Sequence, residues 1–235
     1  TRLNAKLQQE IAERREIETA LKIAKSEAEQ ANLGKTKFLA AASHDLLQPL
    51  NAARLFVSAL SERDHSDADR ALIENVDESL GAVEDLLGAL LDISRLDAGA
   101  VSPELGDFEA NALLAPLTTE YTVLAAERGL RFRSVPSSCV IFSDTRLLRR
   151  IIQNFLSNAI RYTRQGRVLL GCRRSRSALR IEVWDTGPGI PSEKLDEIFE
   201  EFRRLDHPAS GHDRGIGLGL AIVRRIAKTL NISVG

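Results

Sequence analysis

The N-terminal part of the chain has the apolar spacing of a long helix that pairs with another helix. Residues 1–34 are polar, highly charged and free of Pro, and their apolar residues recur at alternating intervals of four and three. These positions are Leu3, Leu7, Ile17, Leu21, Ala24, Ala28 and Ala31. The interval is that of a heptad repeat, although Glu10 and Arg14 occupy two positions of the stripe. We predict a parallel coiled-coil dimer; a single solvated helix on a globular core is the alternative.

A helical hairpin is predicted for residues 35–98. The helical pattern continues to about Leu60, where the polar segment SERDHSDAD interrupts it, and a second apolar stripe extends to about Leu96. The segment DAGAVSPELGD then supplies stop and linker signals, so residues 99–107 are read as a linker. Because one hairpin leaves its own stripe uncovered, two copies are expected to form a four-helix bundle.

Residues 108–235 alternate between helical and strand patterns. Helices are predicted for ANALLAPLTTEYTVLAAERGL, DTRLLRRIIQNFLSNAIRYT, PSEKLDEIFEEF and GLGLAIVRRIAKTL. RFRSVP and CVIF are predicted to be short strands, and GRVLLGCRR and ALRIEVWD a β-hairpin. The predicted fold class is therefore α+β, with a helical hairpin followed by an α/β sandwich in which helices cover one sheet.

The composition of the chain disfavours binding of nucleic acid or anionic membranes as its function. The 235 residues are 43% hydrophobic and 28% charged with a net charge of −1, which does not favour binding of nucleic acid or anionic membranes. Two cysteines without metal-ligand spacing favour a reducing, cytoplasmic setting. No apolar run reaches the roughly 18 residues of a membrane span. The chain lacks an initial Met and ends within the apolar pattern NISVG, so we interpret it as a fragment of a longer protein.

The stretch ASHDLLQPL, residues 42–50, has two interpretations. It is either a surface histidine with an ordinary neighbour, or a nucleophile, His44, with Asp45 as its base. An imidazole titrates near neutral pH, so one ring nitrogen is free to attack at pH 7. Pro49 removes a backbone hydrogen bond one turn later, which predicts a bend near residues 45–49.

A second group of polar residues lies in QNFLSNAIRYT. Asn154 and Asn158 are four residues apart, so both amides lie on one helix face. Amide oxygens suit Mg²⁺, which keeps waters and substrate phosphates as its other ligands. Arg161 lies nearly one turn further on, within reach of a phosphate. A structural role for one asparagine is the alternative.

Two further segments, VWDTGPGI and GHDRGIGLGLAIV, contain glycines that can lie beside a ligand. In VWDTGPGI a strand ends at Asp185, whose carboxylate can accept a hydrogen bond from the adenine amine, and Gly187 and Gly189 allow the backbone close to a ligand. An ordinary Asp-Thr-Gly turn is the alternative.

In GHDRGIGLGLAIV three glycines precede a helix, where backbone N–H groups can hold phosphate. They are Gly215, Gly217 and Gly219. The polar loop between Phe202 and these glycines has the length and composition of a mobile lid, with a disordered surface loop as the alternative.

Along the chain, Asn-x-x-x-Asn is followed by Asp-x-Gly-x-Gly, by Phe-x-x-Phe at Phe199 and Phe202, and by Gly-x-Gly-x-Gly. In this order the motifs resemble the N, G1, F and G2 boxes of sensor histidine kinases, and FLAAASHDLLQPLNAARLF resembles their H box. The resemblance covers the chain from about residue 35. It implies the ATP-binding fold shared with the gyrase and MutL ATPases. The HDLLQPL variant is similar to a subgroup often found in hybrid kinases. The family normally has a final strand beyond NISVG, so the sheet is expected to be truncated here.

The resemblance also implies a role for each residue. His44 matches the phosphoacceptor and Asp45 its acid–base neighbour. Gln48 stands where the family more commonly has Thr or Asn to position a water for dephosphorylation, and since an amide can also orient a water, Gln48 is expected to keep this role. Asn158 matches the main Mg²⁺ ligand, with Asn154 in support. The remaining nucleotide contacts would be Arg161, where the family usually has Lys, and Tyr162, Asp185, Gly187, Gly189, Gly215, Gly217 and Gly219. Arg214 is added as a contact to the γ-phosphate from its charge and its position in the predicted lid.

The function implied is ATP-dependent autophosphorylation of a homodimer at His44, with transfer to an Asp of a response-regulator receiver or to a phosphotransfer protein. A dimeric scaffold that binds nucleotide without catalysis is the alternative. A gyrase-type ATPase is disfavoured, because that class needs a Glu base where this chain has Asn154.

Overall fold

The structure is a computed structural model that describes residues 2–61, 63, 66–175, 178–203 and 217–235. The chain divides into two compact units, Thr1–Ala100 and Val101–Gly235. The first is helical and the second combines helices with strands, so the predicted fold class is confirmed. Of the helices within the described ranges, none has the length and apolar character needed to cross a bilayer.

The first unit is an antiparallel helical hairpin of α1 (Arg2–Ser61) and α2 (Asp67–Asp97). Ser66 begins α2, where its hydroxyl accepts a hydrogen bond from the Asp69 N–H at 3.2 Å. Arg54 joins the helices by donating to Glu84 at 2.7 Å and to Asp77 at 3.4 Å. α1 continues through Pro49, so this proline does not interrupt the helix, and the expected bend there stays a prediction.

Both helices of the hairpin leave large apolar side chains exposed. Seven of them, which are 43–73% accessible, are Leu46, Leu55, Phe56, Leu60, Leu72, Val76 and Val83. Such a surface is expected of a hairpin whose stripe is covered by something outside the single chain.

The second unit contains five strands, three helices and two short 3₁₀ turns in its described residues. In chain order they are β1 (Gly106–Glu109), α3 (Ala110–Glu127), β2 (Arg131–Ser134), β3 (Val140–Ser143), α4 (Thr145–Tyr162), β4 (Arg167–Ser175), β5 (Ala178–Asp185), the turns Ser192–Lys194 and Glu197–Phe199, and α5 (Gly219–Leu230). β1 pairs antiparallel with β3; a second sheet has the order β2-β4-β5. The core between helices and sheet includes Leu113, Leu117, Leu156, Val168, Leu170 and Ile226.

The strand arrangement differs from the expected single sheet of antiparallel strands. There are two sheets, and β2 runs parallel to β4, whereas β4 and β5 form the predicted hairpin. The sequence does not predict β1, because its four residues, GDFE, carry two acids and a glycine and show no apolar alternation.

The helix predicted over PSEKLDEIFEEF is wrong. The structure has only the turns Ser192–Lys194 and Glu197–Phe199 in this segment. Five carboxylates fall three or four residues apart here, at Glu193, Asp196, Glu197, Glu200 and Glu201, and like charges at that spacing destabilise a helix.

Asp144 fixes the start of α4. It is 1% exposed, and its Oδ1 accepts from the Arg146 and Leu147 N–H groups at 2.9 and 3.1 Å while Oδ2 accepts from Glu104 N–H at 2.7 Å. Burial alone would raise the pKa of Asp144, but these backbone donors together hold the pKa below its ordinary value. One carboxylate therefore caps α4 and fastens the preceding segment to it.

Candidate nucleotide-binding site

α4 is the element to which the other site segments are attached. Its apolar side packs into the core through Leu148, Ile151, Ile152, Leu156, Ala159 and Ile160. The polar side carries Asn154 and Asn158, both half-buried and one helical turn apart as predicted. Tyr121 of α3 braces this side: its hydroxyl lies 2.9 Å from Ser157 Oγ and 3.2 Å from Gln153 O. Burial raises the pKa of the Tyr121 hydroxyl.

The C-terminal end of α4 meets the end of β5 at Asp185. The Gly187 N–H donates to Asp185 Oδ1 at 2.7 Å, and the buried Thr163 hydroxyl lies 3.5 Å from the same oxygen. A Cβ at Gly187 would lie 2.8 Å from that oxygen and 3.1 Å from Tyr162 O, so only glycine fits without displacement. The carboxylate is thus oriented through Oδ1, while the residue remains exposed. Gly189 follows with φ 72°, a conformation that glycine adopts without strain.

The N-terminal end of α5 meets the middle of α4 at Asn154. The Asn154 Nδ2 group donates to Arg150 O at 2.8 Å, and a Cβ at Gly219 would lie 2.5 Å from Asn154 Oδ1. The first residue of α5 is therefore glycine because the amide occupies the space of a side chain. At about 1.5 Å rise per residue, the contacts at Asn154 and Thr163 lie about 13 Å apart along α4.

The described ends of the segment between Phe202 and Gly217 are joined to each other. Phe202 N–H donates to Gly217 O at 3.0 Å, and a Cβ at Gly217 would lie 3.0 Å from Arg203 O. Glu201 pairs with Arg225 of α5. This closes the base of the predicted lid. Arg214 and Gly215 lie outside the described residues, so their predicted roles stay predictions.

An open cavity of about 420 Å³ extends along the first three turns of α4 as far as Ser157. It is lined by Arg146, Arg150, Gln153, Asn154 and Ser157. Burial lowers the pKa of Arg150. The sequence pattern singles out neither arginine. It does not single out Thr163 either, whose hydroxyl lies beside Asp185, because the burial of that hydroxyl is visible only in the structure.

The H-box residues lie in α1 of the first unit. His44 is helical, and its side chain lies outside the described part of the structure. Asp45 and Gln48 are exposed. A spacing of four residues puts His44 and Gln48 on the same face of the helix.

Comparisons with known proteins agree with this geometry. Residues 143–235 match the family described as histidine kinase-, DNA gyrase B- and HSP90-like ATPase, and residues 34–99 match the His Kinase A (phospho-acceptor) domain. The chain is 33% identical over 220 residues to the autoinducer 2 sensor kinase/phosphatase LuxQ of Vibrio vulnificus, covering 88% of this chain and 25% of that protein. It is 31% identical over 233 residues to the sensor protein TorS of Escherichia coli, covering 97% of this chain and 25% of that protein.

Among solved structures, full-length ShkA in complex with AMPPNP is similar, with a TM-score of 0.67 and 30% identity over 82% of this chain and 41% of that one. The fold and site define an ATP-binding domain preceded by a phospho-acceptor hairpin. The chain belongs to the sensor histidine kinases. It spans about a quarter of the length of the relatives LuxQ and TorS.

Proposed function

We propose that this chain is the catalytic part of an ATP-dependent histidine autokinase that phosphorylates His44. In the reaction a His44 ring nitrogen forms a bond to the γ-phosphorus of ATP, the bond from that phosphorus to the bridging oxygen breaks, and ADP leaves. Asp45 accepts the proton from the other ring nitrogen. The phosphoryl group then passes to an Asp of a response-regulator receiver.

The observation that carries the proposal is the fixed carboxylate of Asp185. Its Oδ1 is occupied by the Gly187 N–H at 2.7 Å, which leaves the second oxygen to accept from the adenine amine. In an ordinary turn, a surface Asp would be held by its own turn alone. Asp185 is held both by the Gly187 N–H and by Thr163 at the end of α4. Gly187 and Gly189 would then lie beside the base.

The phosphate side of the nucleotide is assigned to the middle of α4. Asn158, with Asn154, supplies amide oxygens of the type that bind Mg²⁺, and the metal would offset charge on the phosphates. The hydrogen bond from Asn154 to Arg150 O and the missing side chain at Gly219 support this assignment, because they fix the orientation of the amide. Arg161 and Tyr162 follow on the same helix. Gly217 and Gly219, with Arg214 and Gly215, would contact the phosphates from the lid and the start of α5.

The hairpin is proposed to form a homodimer, since the matched phospho-acceptor domain has an exposed apolar stripe to cover. The receiver that accepts the phosphoryl group belongs either to the same polypeptide or to another protein. Because ATP is the donor, this part of the protein would work in the cytoplasm.

A phosphatase activity is proposed for Gln48, whose exposed amide can orient a water on the face that carries His44. LuxQ is described as a kinase/phosphatase. The test is Gln48→Ala: receiver dephosphorylation should fall while autophosphorylation persists. Unchanged dephosphorylation would remove this part of the proposal.

The kinase proposal is tested with γ-labelled ATP and Mg²⁺. We expect an acid-labile label on the wild-type protein, no label on His44→Gln, and a strongly reduced label on Asp185→Ala. Nucleotide binding without any label would instead support the non-catalytic scaffold. Label on another side chain would contradict the assignment of His44.

A further inference from the structure

The face of the β2-β4-β5 sheet that points away from the helices carries a cluster of arginines. In the register, Arg131 of β2 pairs with Arg167 of β4, and Arg173 of β4 pairs with Arg180 of β5. Arg133 lies beside Leu169. Because side chains alternate along a strand, these five arginines project to one face, while Val168 and Leu170, which are 1% and 0% exposed, project into the core. We call this surface the outer face.

The centre of the outer face is apolar. Leu169 pairs with Trp184, which is 60% exposed, and Val135 lies over Gly171, with 3.4 Å between Val135 Cβ and a Cβ built at Gly171. Val135 is itself 41% exposed. An aromatic ring and aliphatic side chains thus remain accessible to solvent on a rigid sheet.

Four of the five arginines lie at the two ends of this apolar centre. Arg131 and Arg167 lie at one end, Arg173 and Arg180 lie at the other, and Arg133 lies beside Leu169 at the edge of the centre. From Arg167 to Arg173 the strand rises about 20 Å at about 3.3 Å per residue. The arrangement of a Trp-centred apolar patch with charged residues at its edges is that of a protein–protein interface, where Trp and Arg are the residues most often important for binding.

The charge of the outer face is strongly unbalanced. Among the described strand residues on this face, Glu182 is the one carboxylate, and it is engaged: it accepts from Trp184 Nε1 at 3.0 Å and lies 3.8 Å from Arg180. The whole chain has a net charge of −1. The positive charge is therefore a local feature of this sheet face and not a property of the whole protein.

We infer that the outer face is a docking surface for an acidic polypeptide segment with an apolar centre. Carboxylates about 20 Å apart on the partner would meet the two arginine groups, and apolar side chains between them would cover Trp184, Leu169 and Val135. A protein partner fits better than nucleic acid, because single-stranded nucleic acid is held by several stacked aromatic rings and this face has one. The net charge also lacks the strong basic excess of nucleic-acid-binding domains.

The surface is separate from the nucleotide site. Trp184 and Asp185 are consecutive on β5, so their side chains lie on opposite faces of the sheet. Docking at the outer face thus leaves the Asp185 carboxylate and the polar side of α4 free for nucleotide.

Trp184 is the only tryptophan in the chain, so tryptophan emission, excited at wavelengths where the two tyrosines do not absorb, reports on this face alone. The probe is a synthetic helical peptide with Glu pairs about 20 Å apart and Leu residues between them, about 13 residues at about 1.5 Å each. It is titrated into the whole chain in nucleotide-free buffer. We expect a blue-shifted emission, protection from acrylamide quenching, and an affinity that weakens about tenfold when salt rises from about 50 to about 300 mM.

Matched variants and probes decide the outcome. Arg133→Glu and Arg173→Glu should each weaken binding at least about tenfold, whereas Arg224→Glu, an exposed arginine of α5, should not, with equal circular dichroism for all three. No protection of Trp184, or equal binding of a peptide with Lys in place of Glu, overturns the proposal. Tighter binding of a thymidine oligonucleotide or of phosphatidylglycerol vesicles also overturns it, since the face would then recognise phosphate.

Discussion

Replacement of Gly187 by Ala tests whether the site depends on an oriented Asp185. Gly187 does not have a positive φ, so Ala is allowed by the backbone and its effect is purely steric. The new methyl group would lie 2.8 Å from Asp185 Oδ1, 3.1 Å from Tyr162 O and 3.3 Å from Thr163 Oγ1. Since two of these atoms belong to the α4 terminus and its buried threonine, the carboxylate is the group that must move.

The expected loss of affinity follows from the hydrogen bond that Asp185 would make to adenine. A displaced carboxylate loses one hydrogen bond of charged type, worth about 1.5–3 kcal/mol. That energy corresponds to a weakening of about 10- to 150-fold in the Kd for ATP. The stability of the unit should change less, because Asp185 is exposed and Val168, its partner in β4, keeps its packing.

The assay is calorimetric titration of a non-hydrolysable ATP analogue, with thermal unfolding as a check of the fold. Gly106→Ala is the matched control, because a Cβ there meets nothing within 4 Å. A change of less than about twofold in Kd for Gly187→Ala, or an equal weakening in the control, would refute the reasoning that links the Gly187 cradle to adenine binding.

Three further predictions follow from individual contacts. Gly219→Ala should push the Asn154 amide off Arg150 O and cut the rate of His44 labelling by about tenfold or more while leaving the Kd of adenosine unchanged; an unaltered rate would contradict the placement of Asn154. Asp144→Asn should lower the unfolding free energy by about 1–3 kcal/mol at pH 7, because an amide has one acceptor oxygen and cannot accept from Glu104 N–H while it also caps α4. The folded pKa of Asp144 lies below its unfolded value of about 3.9, so this stabilisation is present above that pH and is lost as pH falls through the folded pKa. In urea unfolding, the difference in unfolding free energy between the wild type and Asp144→Asn should therefore be smaller at pH 3 than at pH 7. Tyr121→Phe should cost about 1 kcal/mol in the same urea assay through loss of the contact with Ser157, and no loss would mean that this hydroxyl does not brace α4.

The helices with strong periodicity are predictable from the sequence, and the short elements are not. α4 and α5 carry apolar residues at helical intervals, which predict their type and position. β1 has four residues and is held by its pairing with β3, a partner more than thirty residues away that no local pattern reveals. The segment PSEKLDEIFEEF has helical apolar spacing, but its charges repel at that spacing and the structure keeps only two turns.

The residues of the candidate site also divide into those that the sequence indicates and those that only the structure reveals. The residue types at Asn154, Asn158, Asp185 and Gly187 indicate nucleotide chemistry from the sequence alone, because amide, carboxylate and glycine each suit one part of a nucleotide. Thr163, Arg146 and Arg150 carry no such signal, since their roles come from what lies beside them in space.

The sequence by itself determined the order of the helices, the α+β class and the kinds of chemical group available, because periodicity and residue type act locally along the chain. Only the tertiary structure decided that Gly219 lies against Asn154, that Gly187 holds Asp185, and that five arginines from three strands share one face with the single tryptophan. These relations depend on strand register and on the packing of α4, which bring residues distant in the chain within a few ångströms of each other.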